Sequence, residues 1–144
     1  MNEIYLLIVM FLGIVFGYLV SKSANEELKE LSVYLKYAYI ITAALIFSVA
    51  AYFNLWVSAV VFISVFFLLY FYNNTITQNA VMVVSGALIF FVKELFVFSV
   101  VLFINMMILA SINYDKKFTK NIMGYLYFLI PALIVFLIRF FSGV

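Results

Sequence analysis

Long apolar stretches separated by short polar segments dominate the pattern of this chain. The five apolar stretches are residues 4–20, 37–53, 55–72, about 76–112 and 122–141. An α-helix needs about 20 mostly apolar residues to cross the hydrocarbon core of a bilayer. Because backbone polar groups must be hydrogen-bonded internally in hydrocarbon, stretches of this length predict membrane-spanning helices.

The fourth stretch is too long for a single crossing. As one helix, residues 80–111 would extend about 48 Å, against a hydrocarbon core of roughly 30 Å. Such a helix would also place Lys93 and Glu94 deep in the core. Dividing the stretch at this pair gives spans 76–92 and 95–112, and six spans in total, with five spans as the alternative.

The distribution of lysine favours six spans. Cytoplasmic loops are enriched in Lys and Arg near the ends of spans. With six spans and the N-terminus outside, the lysine-rich segments 21–36 and 113–121 both lie on the cytoplasmic side. Five spans would move the second segment outside. We therefore predict a multi-pass protein of the cell membrane with an outer N-terminus.

The first apolar stretch differs from a signal peptide in the placement of its charges. A signal peptide carries its positive charge before the apolar run. In this chain Glu3 precedes the run and Lys22 follows it. We expect a retained first helix.

The segment at about 24–36 predicts a short helix of another kind. Ser23 and Glu26 have the spacing of a capping box, which marks a helix start. Leu28, Leu31 and Leu35 then recur at helical spacing among charged residues, as in a helix lying in the membrane interface. The predicted fold class is an all-α integral membrane protein: one polytopic domain, residues 1–144, forming a compact bundle of six short transmembrane helices with one cytoplasmic interfacial helix.

Composition narrows the range of functions. Hydrophobic residues make up 69% of the chain, with 8 Lys and Arg against 6 Asp and Glu and a net charge of +2. This balance gives no basic face for nucleic acid. The chain has no cysteine and no histidine, and no paired carboxylates fall in its spans. These are the residues of thiol catalysis, common general bases and many metal sites, so we expect no enzyme, no cofactor and no metal.

The first span carries a glycine motif. Gly13 and Gly17 are four residues apart, and Ser21 continues the spacing by one more turn. Small residues on one face allow a second helix to approach closely in lipid. The face predicts packing against another span of this chain or against another subunit. A similar small-residue stripe in the second span, formed by Ala44, Ser48 and Ala51, is one candidate partner.

Charged residues near the predicted outer surface form a second candidate site. Lys93 and Glu94 are adjacent in an apolar region, and intramembrane charges are costly and usually functional. In the six-span topology they lie in an outer turn, near the level of Glu3 and Arg139. These four residues predict either an outer cluster whose charges neutralise one another or, at Lys93 and Glu94, a gate or ligand contact.

Two residues inside spans complete the candidate pathway. Asn105 lies in the middle of the fifth span, where a side-chain amide usually finds a partner on another helix. Pro131 lies within the sixth span, where proline removes a backbone hydrogen bond and favours a kink. The two residues, with the Lys93–Glu94 turn, predict a pathway through the bundle.

These features favour a non-enzymatic, permease-like or channel-like transport component for a small or lipophilic solute. The alternative is a scaffold or accessory subunit of a larger membrane complex. The expected partners are the lipid bilayer and either a second copy of the chain or another membrane protein.

Overall fold

The computed structural model of the chain describes residues 3–52, 54–89, 91–92, 95–113 and 118–142. All regular structure in these ranges is helical. The helices are α1 (Glu3–Ser23), α2 (Asn25–Glu30), α3 (Ser32–Ala50), α4 (Leu55–Tyr72), α5 (Thr75–Leu88), α6 (Leu95–Ile112) and α7 (Phe118–Ser142). The described residues therefore form a helical bundle of six long helices and one short helix.

The long fourth stretch is divided into two helices. Helix α5 ends at Leu88, and α6 begins at Leu95. The backbone N–H of Phe91 donates to the carbonyl of Leu88 at 2.9 Å, which closes a turn after α5. The chain therefore does not continue as one helix through residues 80–111. Lys93 and Glu94, where the sequence predicted the division, lie outside the described residues.

Asparagine side chains cap the N-termini of two helices. The Asn54 side-chain oxygen accepts from the backbone N–H of Val57 at 3.0 Å and caps α4. Asn74 and Thr77 form a full capping box at the start of α5, with both reciprocal bonds at 2.9 Å. These bonds satisfy backbone N–H groups of the first turn, which have no hydrogen-bond partner within the helix. They fix the turns on either side of α4.

The structure corrects the expected capping box at Ser23 and Glu26. Ser23 belongs to the last turn of α1, and its hydroxyl donates back to the carbonyls of Leu19 and Val20 at 2.9 and 3.2 Å. Ala24 occupies the N-cap position of α2 and makes no side-chain cap. A serine hydroxyl can also donate to the carbonyls three and four residues before it. In this chain Ser23 makes those bonds and does not cap α2.

The short helix is also shorter than predicted. Helix α2 ends at Glu30, and residues 32–36 form the first turns of α3. Leu28 is buried and Leu35 is half-buried, whereas Leu31 is exposed. Leu28 and Leu35 thus contribute to protein packing rather than to one continuous exposed apolar face.

Helix α6 lies at the centre of the main packing group. It packs extensively on α1 and on α3, and α3 also packs on α4. Helices α5 and α7 form a second close pair, joined to the rest through lighter contacts of α1 with α7 and α3 with α5. Side chains from both groups, including Met10, Tyr39, Met82 and Phe128, meet in one hydrophobic core.

The outer surface is also strongly apolar. Trp56 and Phe141 are each more than 80% exposed, and large exposed hydrophobic residues occur on all six long helices. By length and composition, the helical stretches Glu26–Ala50 and Leu55–Tyr72 could each cross a bilayer. The described residues contain four further apolar helical stretches of 10–17 residues.

Candidate functional site

A buried amide joins α6 to α3 in the middle of both helices. The Nδ2 group of Asn105 donates to the Thr42 hydroxyl oxygen at 2.8 Å and to the Tyr39 carbonyl oxygen at 3.3 Å. The Thr42 hydroxyl itself donates to the carbonyls of Ala38 and Tyr39 at 2.9 and 3.1 Å. We call Tyr39, Thr42 and Asn105 the polar junction.

Two polar atoms of this junction have no hydrogen-bond partner. They are the side-chain oxygen of Asn105 and the hydroxyl of Tyr39, and both residues are fully buried. The orientation of the amide is determined by its partners, because exchanging its two ends would place its oxygen against the Tyr39 carbonyl. Buried polar atoms usually have a partner, and an unpaired one is expensive in an apolar interior. The Asn105 oxygen is thus a buried acceptor without a donor.

Helical spacing brings the junction together. Tyr39, Ala43 and Ile46 follow one face of α3 at intervals of four and three residues, and all are fully buried. Phe98, Leu102 and Asn105 have the same spacing on α6 and are likewise fully buried. A face of this kind turns toward the interior of a bundle. Asn105 is the polar position in the α6 series.

The surroundings of the junction are uncharged. Among the described residues, the buried polar side chains are five serines and Asn105. Most of these serine hydroxyls donate to a carbonyl of their own helix, as Ser85 does to Val81 at 2.6 Å and Ser99 to Phe96 at 2.7 Å. A serine hydroxyl bonded in this way has no free proton to donate to a ligand. Among the described buried side chains, the polar atoms without a hydrogen-bond partner are the Asn105 oxygen and the Tyr39 hydroxyl.

Gly13 and Gly17 lie against α6 of the same chain. A Cβ atom added to Gly17 would overlap the carbonyl oxygen of Met107 and lie 2.8 Å from the Ala110 Cβ. A Cβ atom added to Gly13 would lie 2.9 Å from the Phe103 carbonyl oxygen. Glycine is therefore required for this close approach.

The rest of the predicted face also lies within the packing of the chain. Ser21, the third residue of the predicted face, is buried, and its hydroxyl donates to the Tyr18 carbonyl at 2.7 Å. The small-residue stripe of α3 has a different partner, because Ser48 bonds to Ser58 of α4.

Pro131 lies inside α7, which continues on both sides of it. A Cβ atom added to Gly86 of α5 would lie 3.2 Å from the Cγ atom of Pro131 and would overlap the carbonyl oxygen of Phe128, which is also in α7. Pro131 is thus part of the α5–α7 contact. Asn105 instead belongs to the α3–α6 contact, so the described contacts place these two predicted pathway residues in different helix pairs.

The predicted outer charge cluster falls largely outside the described part of the chain. Lys93 and Glu94 are not among the described residues. Glu3 begins α1 and Arg139 lies in α7, and their side chains also fall outside that part. The cluster and the proposed gate remain predictions.

Sequence reasoning found Asn105 but overlooked Tyr39. A mid-span asparagine is conspicuous because it is rare in apolar helices. Tyr39 lies near the start of a predicted span, where tyrosine commonly belongs to an interfacial belt. Its spacing from Ala43 and Ile46 was the available signal that it faces inward.

Comparison with known proteins gives no match: no family model, no curated protein and no solved structure is similar to this chain. The function therefore has to be argued from the geometry of the chain itself.

Proposed function

We propose that the six long helices cross the cell membrane and form a permease-like or channel-like transport component for a small or lipophilic solute. The observation that carries the transport proposal is the unpaired, fully buried oxygen of Asn105. Ionisable and polar groups inside a membrane bundle frequently mark solute pathways because burying them is otherwise unfavourable.

The apolar surface supports the membrane part of the proposal. Soluble monomers rarely expose contiguous apolar patches larger than a few hundred Å². Helix α4 has only Ser58 and Leu69 buried, and exposes Trp56, Phe67 and Phe71. A helix that is apolar on its outer faces as well as at its packing face is well suited to lipid.

The uncharged interior indicates which solutes the pathway would admit. Moving an ion into an apolar site without a counter-charge is strongly unfavourable. Since the described buried polar groups are all neutral, the pathway favours neutral solutes over ions.

Flux through reconstituted protein tests transport directly. The full chain is placed in liposomes, and volume changes after osmotic steps of glycerol or urea are followed by light scattering, with potassium flux as the charged comparison. We expect faster entry of at least one neutral solute than in protein-free liposomes. Asn105→Leu should abolish the increase, and Ser99→Ala should retain it, because the Ser99 hydroxyl is bonded within its own helix. Neutral flux equal to that of protein-free liposomes would refute the transport proposal.

The scaffold or accessory role remains the second candidate, and α4 is the observation that favours it. This helix packs chiefly on α3 and leaves most of its surface free. Co-purification of a defined membrane protein, lost when exposed α4 residues such as Ile63 are replaced by alanine, would support this role.

The number of crossings can be tested by labelling, since the chain has no cysteine. Glu94→Cys and Lys117→Cys are exposed separately to a membrane-impermeant thiol reagent on intact cells. Labelling at position 94 with protection at position 117 agrees with six crossings. The reverse pattern would require five.

A further inference from the structure

We propose that the α5–α7 pair moves as one unit against the group formed by α1, α3, α4 and α6, and that the solute crosses along the seam between them. The seam consists of the contacts of α1 with α7 and of α3 with α5. This inference rests on the proposed transport function and specifies where the pathway lies and how it opens. It starts from the unequal way in which the helices are joined.

Hydrogen bonds join the helices of the four-helix group to one another. The Asn105 amide of α6 donates to the Thr42 hydroxyl of α3 at 2.8 Å. The Ser58 hydroxyl of α4 donates to the Ser48 carbonyl of α3 at 2.7 Å. The Ser111 hydroxyl of α6 also approaches a carbonyl of α1 at 3.5 Å. Each helix of the group is therefore linked to another by a directional bond.

Close backbone packing adds a second constraint on each side of the seam. A Cβ atom added to Gly17 of α1 would overlap the Met107 carbonyl oxygen of α6. A Cβ atom added to Gly86 of α5 would likewise overlap the Phe128 carbonyl oxygen of α7. Helices that approach this closely have little room to shift past one another. We therefore expect α5 and α7 to move together, and α1 to move with α6.

The described contacts across the seam are of a different kind. Phe11 of α1 and Tyr125 of α7 meet edge to face, with ring centroids 5.7 Å apart. Met10 of α1, Met82 of α5 and Phe128 of α7 belong to the same hydrophobic core. Described hydrogen bonds between the two sides occur at the α4–α5 turn, where the chain itself passes from one side to the other.

This difference determines where the bundle can open. Apolar contacts are not directional, so one apolar surface can slide or tilt against another without leaving a donor or acceptor unpaired. Opening the bundle within the four-helix group would instead break buried hydrogen bonds, which is more costly. Rocking of one helix bundle against another is also a common way for transporters to expose a solute alternately to the two sides of a membrane. The seam is the surface at which such rocking disturbs the fewest directional bonds.

Two pairs of aromatic residues on α1 allow a matched cross-linking test. Phe11→Cys with Tyr125→Cys places one thiol on each side of the seam. Phe16→Cys with Phe103→Cys places both thiols within the four-helix group, where the native rings also meet edge to face, with centroids 6.4 Å apart. The full chain in liposomes is treated with a short, reducible bifunctional thiol reagent. Mass spectrometry measures the cross-linked fraction, and light scattering measures neutral solute entry.

We expect cross-linking of the seam pair to lower solute entry to that of protein-free liposomes, and reduction of the cross-link to restore it. The cross-linked control pair should retain its flux. Unchanged flux in the fully cross-linked seam pair would overturn the inference. Equal loss of flux in both pairs would also overturn it, because the seam would then have no special role.

Distances between spin labels test the movement without any flux. Nitroxide labels are attached to cysteines in pairs at Leu19, Val60, Val84 and Leu133, all exposed residues. Across the seam, Val60 with Leu133 should give a broad distance distribution or one with two maxima by double electron–electron resonance. Leu19 with Val60, within the four-helix group, and Val84 with Leu133, within the α5–α7 pair, should each give a single narrow distribution. Equal widths in all three pairs would refute the movement.

The two measurements separate this inference from the transport proposal. A broad distribution across the seam without solute flux would refute transport and leave the movement of the α5–α7 pair intact. Flux with equally narrow distributions in all three spin-label pairs would refute the movement and leave transport intact.

Discussion

Ser48 of α3 and Ser58 of α4 hold each other by reciprocal hydrogen bonds. Their hydroxyl oxygens are 2.8 Å apart, Ser58 donates to the Ser48 carbonyl at 2.7 Å, and Ser48 approaches the Ser58 carbonyl at 3.1 Å. The pair lies close to the turn at Asn54, which also caps α4. Together the two features define the α3–α4 hairpin.

Replacing Ser58 by alanine should destabilise this hairpin. The change removes the donor to the Ser48 carbonyl, and interhelical hydrogen bonds in membrane proteins contribute about 0.6 kcal/mol on average and up to about 1.7 kcal/mol. Unfolding in mixed micelles with increasing denaturing detergent measures the effect. Ser64→Ala, at an exposed position on the same helix, is the control. Equal stability of the two variants would contradict the role assigned to the serine pair.

Alanine at Gly17 should be more damaging than alanine at Gly13. The added methyl at position 17 overlaps the Met107 carbonyl and also approaches Ala110, whereas at position 13 the closest atom lies at 2.9 Å. Overpacking of this kind typically costs about 1–3 kcal/mol. The same unfolding assay gives the order, with exposed Leu19→Ala as the control. A larger loss of stability for Gly13→Ala than for Gly17→Ala would contradict the described α1–α6 contact.

Thr42→Val should weaken the α3–α6 contact, whereas Thr42→Ser should be tolerated. Valine keeps the shape of threonine but removes the acceptor for the Asn105 amide at 2.8 Å. We expect a loss on the order of 1 kcal/mol in the free energy of unfolding. A double-mutant cycle with Asn105→Leu checks the assignment, because the two losses should not add if they report on one interaction.

Tyr39→Phe should leave the stability of the ligand-free protein unchanged or raise it slightly. The hydroxyl is buried without a partner, so its removal breaks no hydrogen bond and relieves an unfavourable burial. Thermal unfolding in detergent measures the change. A loss of more than about 1 kcal/mol would mean that the hydroxyl has a partner in the ligand-free protein.

The orientation of the bundle gives a fifth prediction. Tyr52, beside the Asn54 turn, should lie outside the cell, and Glu26 of α2 should lie inside; both residues are exposed. Cysteines at these positions should therefore differ in labelling by an impermeant thiol reagent on intact cells. Exposed Ile63, in the middle of α4, is a control that lipid should protect. Labelling of Glu26→Cys without labelling of Tyr52→Cys would indicate the opposite orientation of the bundle.

Simple local chemistry allowed much of the helix pattern to be predicted. Lys93 and Glu94 are unfavourable inside an apolar helix, and the chain indeed forms separate helices ending at Leu88 and beginning at Leu95. The ends were harder to predict where two local bonds compete. Ser23 had the spacing of a cap, but its hydroxyl bonds within α1 instead.

Helix partners could not be predicted from individual spans. The Gly13–Gly17 spacing indicates a close approach, but nothing within α1 specifies that Met107 and Ala110 lie opposite. Likewise, a mid-span asparagine predicts a partner, while its bond to Thr42 depends on how α3 and α6 align. These pairings are properties of the whole bundle, since each helix has several apolar faces that could pack.

The α1–α6 contact also bears on the order in which the protein is assembled. Ser111 of α6 approaches the Gly17 carbonyl of α1 at 3.5 Å, and the two residues are 94 positions apart in the chain. By contrast, Ser48 and Ser58 are separated by only 10 positions. During synthesis the α3–α4 hairpin can close early, whereas the glycine surface of α1 stays without its partner until α6, where Ser111 lies 94 positions after Gly17, has been made. Until then the surface at Gly13 and Gly17 is not covered by its partner helix and is free to contact other molecules.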